Sequence, residues 1–404
     1  MDDRTSERSP RLLLLLAVCL IAANMRPTVT AVGPLLGQIG SDTGMSTGTL
    51  GLIASVPLLA WGVFSSIAHD LSRRFGMSRA MLWSLVLLTI GTVVRSLPGP
   101  VASLWIGTAL LGIALAIVNV LMPAVVKRDF ATHVTGVTAL YSALLGGFGA
   151  LASGLVVPAS QLPWPQDPAG WRFALLATGG VLLPFAIVMW VWASRRSAAP
   201  SQAPVGHVRT GRARTGIWRD RFAWQIAAYM AFQCSIFYMV VTWLATISTS
   251  VGRSPVVAGL DVMLYQIFSI AGSLILPLLL RGRVRRIIPA VIPVFGVVGV
   301  IGLLVAPHNI ELWAAFIGLT SGASLSMTFT LMAQRARDSD AATALSGMSQ
   351  SVGYIVAAAG PVVFGWLHAS TGNWMLPLGL LLFVLAGQAF LGVFVGRDRY
   401  VLEK

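Results

Sequence analysis

The sequence contains little charge, few acidic residues and almost no cysteine. Only 10% of its 404 residues are charged and 56% are apolar, whereas about a quarter of the residues in soluble globular proteins are charged. This composition excludes a soluble regulatory protein. The two cysteines, Cys19 and Cys234, lie in separate apolar stretches without a CxxC spacing or a nearby histidine. A disulfide framework or a cysteine metal site therefore has no support.

Sequence signatures of catalysis and nucleotide binding are also missing. There is no GxxxxGK[ST] loop, which disfavours ATP-driven pumping, and there is no GxSxG, HExxH or Cys/His cluster. We therefore expect no enzyme activity, no cofactor and no bound metal. The net charge of +14 does not indicate a nucleic-acid partner, because the arginines are scattered over short segments between apolar stretches.

Long apolar stretches dominate what is present. A hydrocarbon core about 30 Å thick needs about 20 helical residues, and twelve stretches of the sequence reach that length. They run over 11–38, 47–69, 78–97, 100–126, 134–158, 172–194, 222–248, 255–280, 287–306, 310–334, 341–368 and 374–396. The sequence therefore predicts an all-α integral membrane protein with twelve transmembrane helices.

Basic residues lie almost entirely on one side of these twelve stretches. Of the 28 Lys and Arg, 24 fall in the two tails and in the connections that follow even-numbered stretches. Arg95, Arg172 and Arg253 fall in the other connections, and Arg26 lies inside the first stretch. The positive-inside rule then places both termini in the cytoplasm. The first apolar run continues past Ala23, which favours an uncleaved span over a signal peptide.

The segment 195–221 is the longest connection, and it divides the stretches six and six. Its Arg, Ala, Pro, Ser and Gly content cannot bury a core. We therefore predict an N-terminal six-helix bundle at 1–194, a cytoplasmic linker at 195–221, and a C-terminal six-helix bundle with a short cytoplasmic tail at 222–404. The linker either rests on anionic lipid headgroups or is only a tether.

The two predicted bundles share features at an offset of about 208 residues. Lys127-Arg128-Asp129 closes the fourth stretch as Ala336-Arg337-Asp338 closes the tenth, and the fifth and eleventh stretches are both rich in Gly and Ala. Repeated six-helix halves are typical of secondary transporters, which place their substrate near the middle of the membrane. The offset therefore favours two pseudo-symmetric bundles.

Arg26 is the basic residue predicted deep in a span. It lies 15 residues past Arg11, or about 22 Å along a helix. Exposure to lipid would cost at least about 2.5–3.5 kcal/mol, so the side chain should face the bundle interior or a wet cavity. Pro27 should bend or loosen the helix by freeing the carbonyl one turn earlier. The guanidinium suits a small anion or planar polar solute; the alternative is a structural arginine held by carbonyls or a carboxylate.

Asp261 is the carboxylate predicted to enter a span. Ser254-Pro255 is typical of a helix N-terminus, which places Asp261 about 10 Å along the eighth helix. It can pair with Arg26, join an outer gate or sit at a solvated mouth. Proton-coupled carriers often use intramembrane acids. Either Asp261 takes the proton, the solute brings it, or the carrier is uncoupled.

Further polar side chains in the middle of spans are candidates for a solute cavity. An amide or phenol facing lipid leaves hydrogen bonds unmade, so these groups should point inward. Hydrogen bonding between helices is the alternative for each. The candidates are Asn24, Asn119, Tyr141, Gln233, Tyr238, Gln266, Gln350 and Tyr354.

Several segments resemble one family. AANMRPTVTAVGPLLGQI at 22–39 and LSGMSQSVGYIVAAAGPVVFGWLH at 345–368 are the more specific, and NVLMPAVVKRDF at 119–130 and QCSIFYMVVTWL at 233–244 agree with them. Together they resemble the major facilitator superfamily and, within it, the cyanate and 2-nitroimidazole transporter family. The resemblance covers nearly the whole chain and is weakest in the tail and the central linker.

This resemblance implies a twelve-helix carrier with inward-open and outward-open states, a central cavity and small polar or anionic substrates. Matched residue by residue, it implies cavity roles for Arg26, Asn24, Asn119, Gln233, Tyr238, Gln350 and Tyr354. The superfamily's loop after the second helix usually reads Asp-Arg-x-Gly-Arg-Arg. Here Arg74 fits, but Arg73 occupies the acidic position. Asp70, one turn earlier, is the candidate for the missing charge, so Asp70 and Arg74 are assigned to gating.

The leading hypothesis is a monomeric secondary carrier of a small anionic or planar polar solute in the cytoplasmic membrane. Its expected partners are the solute, membrane lipid and a candidate coupling proton, with Arg26 recognising the solute. The first alternative is an exporter of neutral or cationic compounds, which would favour a carboxylate in the cavity. A channel or a non-transporting receptor is the second alternative, and saturable flux with counterflow would argue against it.

Overall fold

The computed structural model describes residues 3–163, 167–196, 216–281 and 283–403, and these ranges are almost entirely helical. Twelve helical segments within them are long and apolar enough to cross a membrane. The predicted fold class, an all-α protein with twelve membrane spans, is confirmed. Most of the predicted linker at 195–221 lies outside the described residues.

Among the described residues, nine helices precede the predicted linker, because the first span is broken twice and the sixth span once. They are α1 (Asp3–Met25), α2 (Pro27–Thr30), α3 (Val32–Thr43), α4 (Thr47–Phe75), α5 (Met77–Ser96), α6 (Ala102–Asp129), α7 (Val134–Ser160), α8 (Gly170–Gly180) and α9 (Leu183–Arg196).

Six long helices follow the linker, one for each predicted span. They are α10 (Arg221–Ser250), α11 (Pro255–Leu279), α12 (Ile288–Val305), α13 (Ile310–Gln334), α14 (Ser339–Thr371) and α15 (Met375–Val395). Short 3-10 turns at Arg283–Arg286 and Pro307–Asn309 precede α12 and α13.

Proline accounts for the break at Arg26 and for the break after Gly180. Pro27 begins α2 directly after the turn at Arg26, so the helix is interrupted at the position where Pro27 was predicted to bend or loosen it. Pro184 lies in the first turn of α9 and has no N–H to offer the carbonyl of Gly180, the last residue of α8. Hydropathy predicted each of these spans as one stretch, because an apolar run does not show where the helix is interrupted.

Capping side chains explain where several helices begin. Ser254 accepts a hydrogen bond from the Val257 amide at 3.3 Å with Pro255 at the first helical position, as predicted. Asp338 accepts one from the Ala341 amide at 2.7 Å at the start of α14. Each carboxylate or hydroxyl satisfies an amide that has no partner within its own helix.

The helices form two compact units. The first comprises the described residues up to Gly44 and from Val56 to the end of α9; the second comprises Met45–Ser55 and the described residues from 216 onward. The first turns of α4 therefore belong to the second unit. The predicted division into bundles at 1–194 and 222–404 stays a prediction.

The first unit has a continuous apolar core contributed by α1, α4, α5, α6, α7 and α9. Its largest member is Trp190, which is fully buried and donates its indole N–H to the carbonyl of Ser78 at 3.0 Å. At the end of α3, Asp42 accepts hydrogen bonds from Arg172 at 2.6 Å and Trp171 at 3.0 Å. The Arg172 hydrogen bond is the main reason that the pKa of Asp42 lies below its usual value.

The second unit is built around α10, the most buried of the spans. Tyr229 donates its hydroxyl to the carbonyl of Pro289 on α12 at 3.0 Å, and Trp243 donates its indole N–H to that of Pro361 on α14 at 2.9 Å. The beginning of α4 packs here as well, where Thr47 donates to the carbonyl of Gly365 at 3.2 Å. Buried aromatic groups thus use their polar ends to satisfy helix carbonyls.

The C-terminal tail is bound to the second unit by ion pairs and backbone bonds. Asp398 pairs with Arg335 at 3.0 Å and with Arg286 at 2.5 Å. The Val401 amide donates to the carbonyl of Arg335 at 2.8 Å, and the Leu402 amide donates to the carboxylate of Asp220, which caps α10. The tail is therefore part of the folded unit.

Candidate functional site

The break in the first span places Arg26 in a turn between two helices. Its carbonyl accepts hydrogen bonds from the amides of Val29 and Thr30, both at 3.0 Å, so the chain tightens directly after it. The Arg26 side chain is half-buried, while Thr28 and Thr30 are buried. A permanently charged, forked donor thus stands at a helix break, where irregular backbone in a membrane protein lies against protein or a wet cavity.

Helix α7 fixes one side of this break. Thr30 donates its hydroxyl to the carbonyl of Gly149 at 2.9 Å, and Ser153 donates its hydroxyl to the carbonyl of Thr30 at 3.1 Å. Tyr141, on the same helix, donates to the sulfur of Met25, the residue directly before Arg26, at 3.5 Å. Of the sequence-predicted residues, Tyr141 therefore lies at the break that contains Arg26.

The two predicted asparagines of the first unit have different surroundings. Asn24 is buried and donates its side-chain amide to the carbonyl of Leu20 at 2.7 Å, one turn back on α1. Asn119 lies on α6 with an exposed side chain. The solute-binding role of each stays a prediction.

Sequence reasoning missed Arg95 as a functional candidate. The charge pattern groups it with the arginines of the connections, yet it lies in the last turn of α5 with 1% of its surface exposed. Its Nη1 donates to the carbonyl of Thr28 at 2.7 Å, within the break of the first span. Among the described residues, no hydrogen-bond partner is recorded for its Nε and Nη2. The available signal was its position within the apolar stretch 78–97.

In the second unit, Gln233 belongs to a buried polar cluster. Its side-chain amide donates to the carbonyl of Ser321 on α13 at 3.2 Å. Tyr265 of α11 donates its hydroxyl to the Ser321 hydroxyl at 3.0 Å. The cluster thus joins α10, α11 and α13 through a single residue of α13.

Four other predicted residues of the second unit lie on three helices. Gln350 of α14 donates to the Ser346 hydroxyl at 2.8 Å, and Tyr354 lies one turn further along the same helix face with a half-buried side chain. Tyr238 is buried on α10 with its ring edge-on to Phe237, and Gln266 is buried on α11. These placements leave their predicted cavity roles untested.

Asp261 is tied to a hydroxyl and an arginine near the start of α11. It is 3% exposed, accepts a hydrogen bond from Ser248 at the end of α10, and lies 3.4 Å from Nε of Arg253. Arg253 also pairs with Glu311 at the start of α13. Within the second unit, the ionic partner of Asp261 is Arg253, which the sequence did not predict, and the predicted roles of Asp261 stay predictions.

Asp70 and Arg74, the predicted gating pair, both lie in the last turns of α4. The side chains of both are exposed. Exposed charged side chains at the end of a span are typical of the membrane surface. Their contribution to gating stays a prediction.

Comparisons with known proteins agree with this architecture. The model of the Major Facilitator Superfamily matches residues 14–361. A 2-nitroimidazole transporter of Escherichia coli is 36% identical, covering 97% of both chains. The cyanate transport protein CynX of the same organism is 28% identical, covering 90% of this chain and 92% of its own. A solved bacterial homologue of the lysosomal transporter Spinster has a TM-score of 0.75 at 17% identity, with 96% and 94% of the two chains covered.

Proposed function

Because the chain belongs to the Major Facilitator Superfamily and is an integral membrane protein, we propose that it is a secondary transporter. It moves a small polar or anionic solute across the cytoplasmic membrane by alternating access. The names of the two relatives support this size class, since 2-nitroimidazole and cyanate are both small polar molecules.

The observation that carries the proposal is the half-buried guanidinium of Arg26 at a helix break. The break is held by α7, whose Tyr141 donates its hydroxyl to the sulfur of Met25, directly before Arg26. A guanidinium offers two parallel N–H donors, which match the oxygens of a small anion or of a nitro group. Arg26 therefore recognises the solute, and Tyr141 adds a neutral donor.

The second unit supplies a separate set of neutral polar candidates. They are Gln233, Tyr238, Gln266, Gln350 and Tyr354, which offer amide and phenol groups without charge. Its buried carboxylate, Asp261, is paired with Arg253. A paired carboxylate is a poor recognition group for a cation, which disfavours the exporter of cationic compounds.

The orientation of the chain follows from its arginines. The two tails and the connections predicted to be cytoplasmic together hold 24 of the 28 basic residues, so both termini lie in the cytoplasm. Green fluorescent protein fused after residue 404 should fluoresce, whereas alkaline phosphatase fused there should be inactive. The reverse pattern would overturn this orientation.

Transport by purified protein in liposomes tests the role of Arg26. Cyanate and 2-nitroimidazole are the probes, and the variants are Arg26→Ala and Arg26→Lys. Hydrogen bonds to a charged group contribute about 1.5–3 kcal/mol, so the ratio of maximal rate to KM should fall about ten- to hundredfold in Arg26→Ala. Lysine should restore little of it, because it lacks the planar fork.

The matched control is Arg79→Ala, which removes an exposed arginine near the start of α5. This variant should transport as the unchanged protein does. Normal uptake of both probes by Arg26→Ala and Arg26→Lys, at equal reconstitution, would refute the recognition role of Arg26.

A further inference from the structure

Arg95 is a buried positive charge whose recorded partner is a backbone carbonyl. Its side chain is 1% exposed, and Nη1 donates to the carbonyl oxygen of Thr28 at 2.7 Å. Burial of a guanidinium costs free energy unless its N–H groups are well paired. Yet no partner is recorded for Nε and Nη2 among the described residues. Packing alone would be served better by an apolar residue, which points to a function for this arginine.

Glycines on two neighbouring helices make space around Arg95. A Cβ added to Gly107 of α6 would lie 2.3 Å from the Arg95 amide nitrogen, so α6 can approach α5 this closely only with glycine. A Cβ added to Gly179 of α8 would lie 3.1 Å from the Thr28 methyl group and 3.7 Å from Nη2 of Arg95. Two neighbouring helices thus leave room for the bond between Arg95 and Thr28.

Thr28 links Arg95 to Arg26, the arginine proposed to bind the solute. It lies in the four-residue helix α2, and its hydroxyl donates to the carbonyl of Met25, directly before Arg26. Helix α7 fixes the far end of α2 through Thr30. Arg95 fixes its middle with a donor that never loses its proton. The turn at Arg26 is therefore held by α5 on one side and α7 on the other.

We propose that Arg95 is a positioning residue that sets the direction of the Arg26 guanidinium by fixing the carbonyl of Thr28. This inference rests on the proposed recognition of the solute by Arg26. A site that must hold a bidentate donor in place needs a rigid support behind it. Loss of Arg95 therefore weakens solute binding more than it slows the movement of a bound solute.

A double-mutant cycle between Arg95 and Arg26 tests the proposal. KM and maximal rate for cyanate are measured for Arg95→Met, Arg95→Lys, Arg26→Lys, and both Arg95 variants combined with Arg26→Lys. In Arg95→Met, KM should rise about tenfold, because a charge-assisted hydrogen bond is lost, while the maximal rate stays within about twofold. In the combined variants, KM should be less than about twofold higher than in Arg26→Lys alone, because the free-energy effects of coupled residues do not add.

A structural defect alone would give a different pattern. It would lower the maximal rate, and its effect on KM in the combined variants would multiply the effect of Arg26→Lys. Arg79→Met, at the exposed end of the same helix, is the control and should behave as the unchanged protein does. If Arg95→Met fails to purify as a single species, Arg95→Lys carries the test, since it keeps the charge but not the fork and should also raise KM.

The outcomes separate this proposal from the one on which it rests. A KM within twofold of the unchanged protein in Arg95→Met, or multiplicative effects in the combined variants, would overturn the positioning role and leave Arg26 intact. An unchanged KM in both Arg26→Ala and Arg26→Lys would overturn the recognition role and the positioning role together.

Discussion

Helices α11 and α13 approach each other very closely at Gly322. We therefore expect the substitution Gly322→Ala to lower the Tm of the second unit. The added Cβ would lie 1.6 Å from the carbonyl oxygen of Ser269 and 2.4 Å from its carbon. Gly318 approaches the carbonyl of Tyr265 in the same way, one turn earlier. Two helical backbones, rather than a flexible side chain, would have to move apart.

The size of the effect follows from this geometry. Two non-bonded atoms reach a favourable separation only beyond about 3 Å, so α13 must shift by about 1.5 Å at this point. Overpacking typically costs about 1–3 kcal/mol, and a clash with backbone lies at the upper end. Alanine regains up to about 1 kcal/mol in helix propensity. A net loss near 2 kcal/mol lowers the Tm by about 4–8 °C for a unit of about 200 residues.

Thermal unfolding of the purified protein in detergent measures this shift. The control is Gly379→Ala on α15, where an added Cβ meets nothing within 4 Å; its Tm should be unchanged or slightly raised. The shift of α13 should also disturb Gln233 and Tyr265, because both bond to Ser321, the neighbour of Gly322. A monodisperse Gly322→Ala protein with a Tm within 1 °C of the control would refute the packing argument.

Two further predictions concern the ends of the second unit. Arg335, and then Arg286, hold the pKa of Asp398 at about 2, below its ordinary value of 3.8, so the tail's ion pairs persist at every pH above about 4 and are lost only as the pH falls toward 2. Asp398→Asn should therefore speed amide exchange in the tail at pH 7, whereas tail protection in the unchanged protein should not vary between pH 5 and 8 after correction for intrinsic rates. Ser248→Ala removes a hydrogen bond to the buried Asp261 carboxylate and should cost about 1–3 kcal/mol, while Thr249→Ala, at an exposed neighbour, should leave the Tm unchanged.

The number of spans and the bend at Pro27 were predictable because each depends on local sequence. Hydropathy over about 20 residues detects a membrane span whatever the span packs against. A proline removes its own N–H wherever it occurs, so Pro27 had to free a carbonyl one turn earlier. The cap of α11 by Ser254 was predictable for the same reason.

The role of Arg95 was not predictable, because its partner lies 67 residues away. An arginine near the end of an apolar stretch usually extends toward the membrane surface. Only the bond to Thr28 on α2, which itself packs against α8, shows that this arginine turns inward. The sequence likewise left the partner of Asp261 open, since both Arg253 and Ser248 become its neighbours only when α10 and α11 form a hairpin.

The bond between Leu402 and Asp220 has a consequence for biosynthesis. Asp220 caps the first turn of α10 with one carboxylate oxygen and accepts the Leu402 amide with the other, across 182 residues. Polypeptides leave the ribosome amino end first, so α10 can be inserted long before its last contact exists. This contact of the second unit then forms only after residue 402 has been synthesised, and a chain that stops before Asp398 would leave Arg286 and Arg335 without the carboxylate they share.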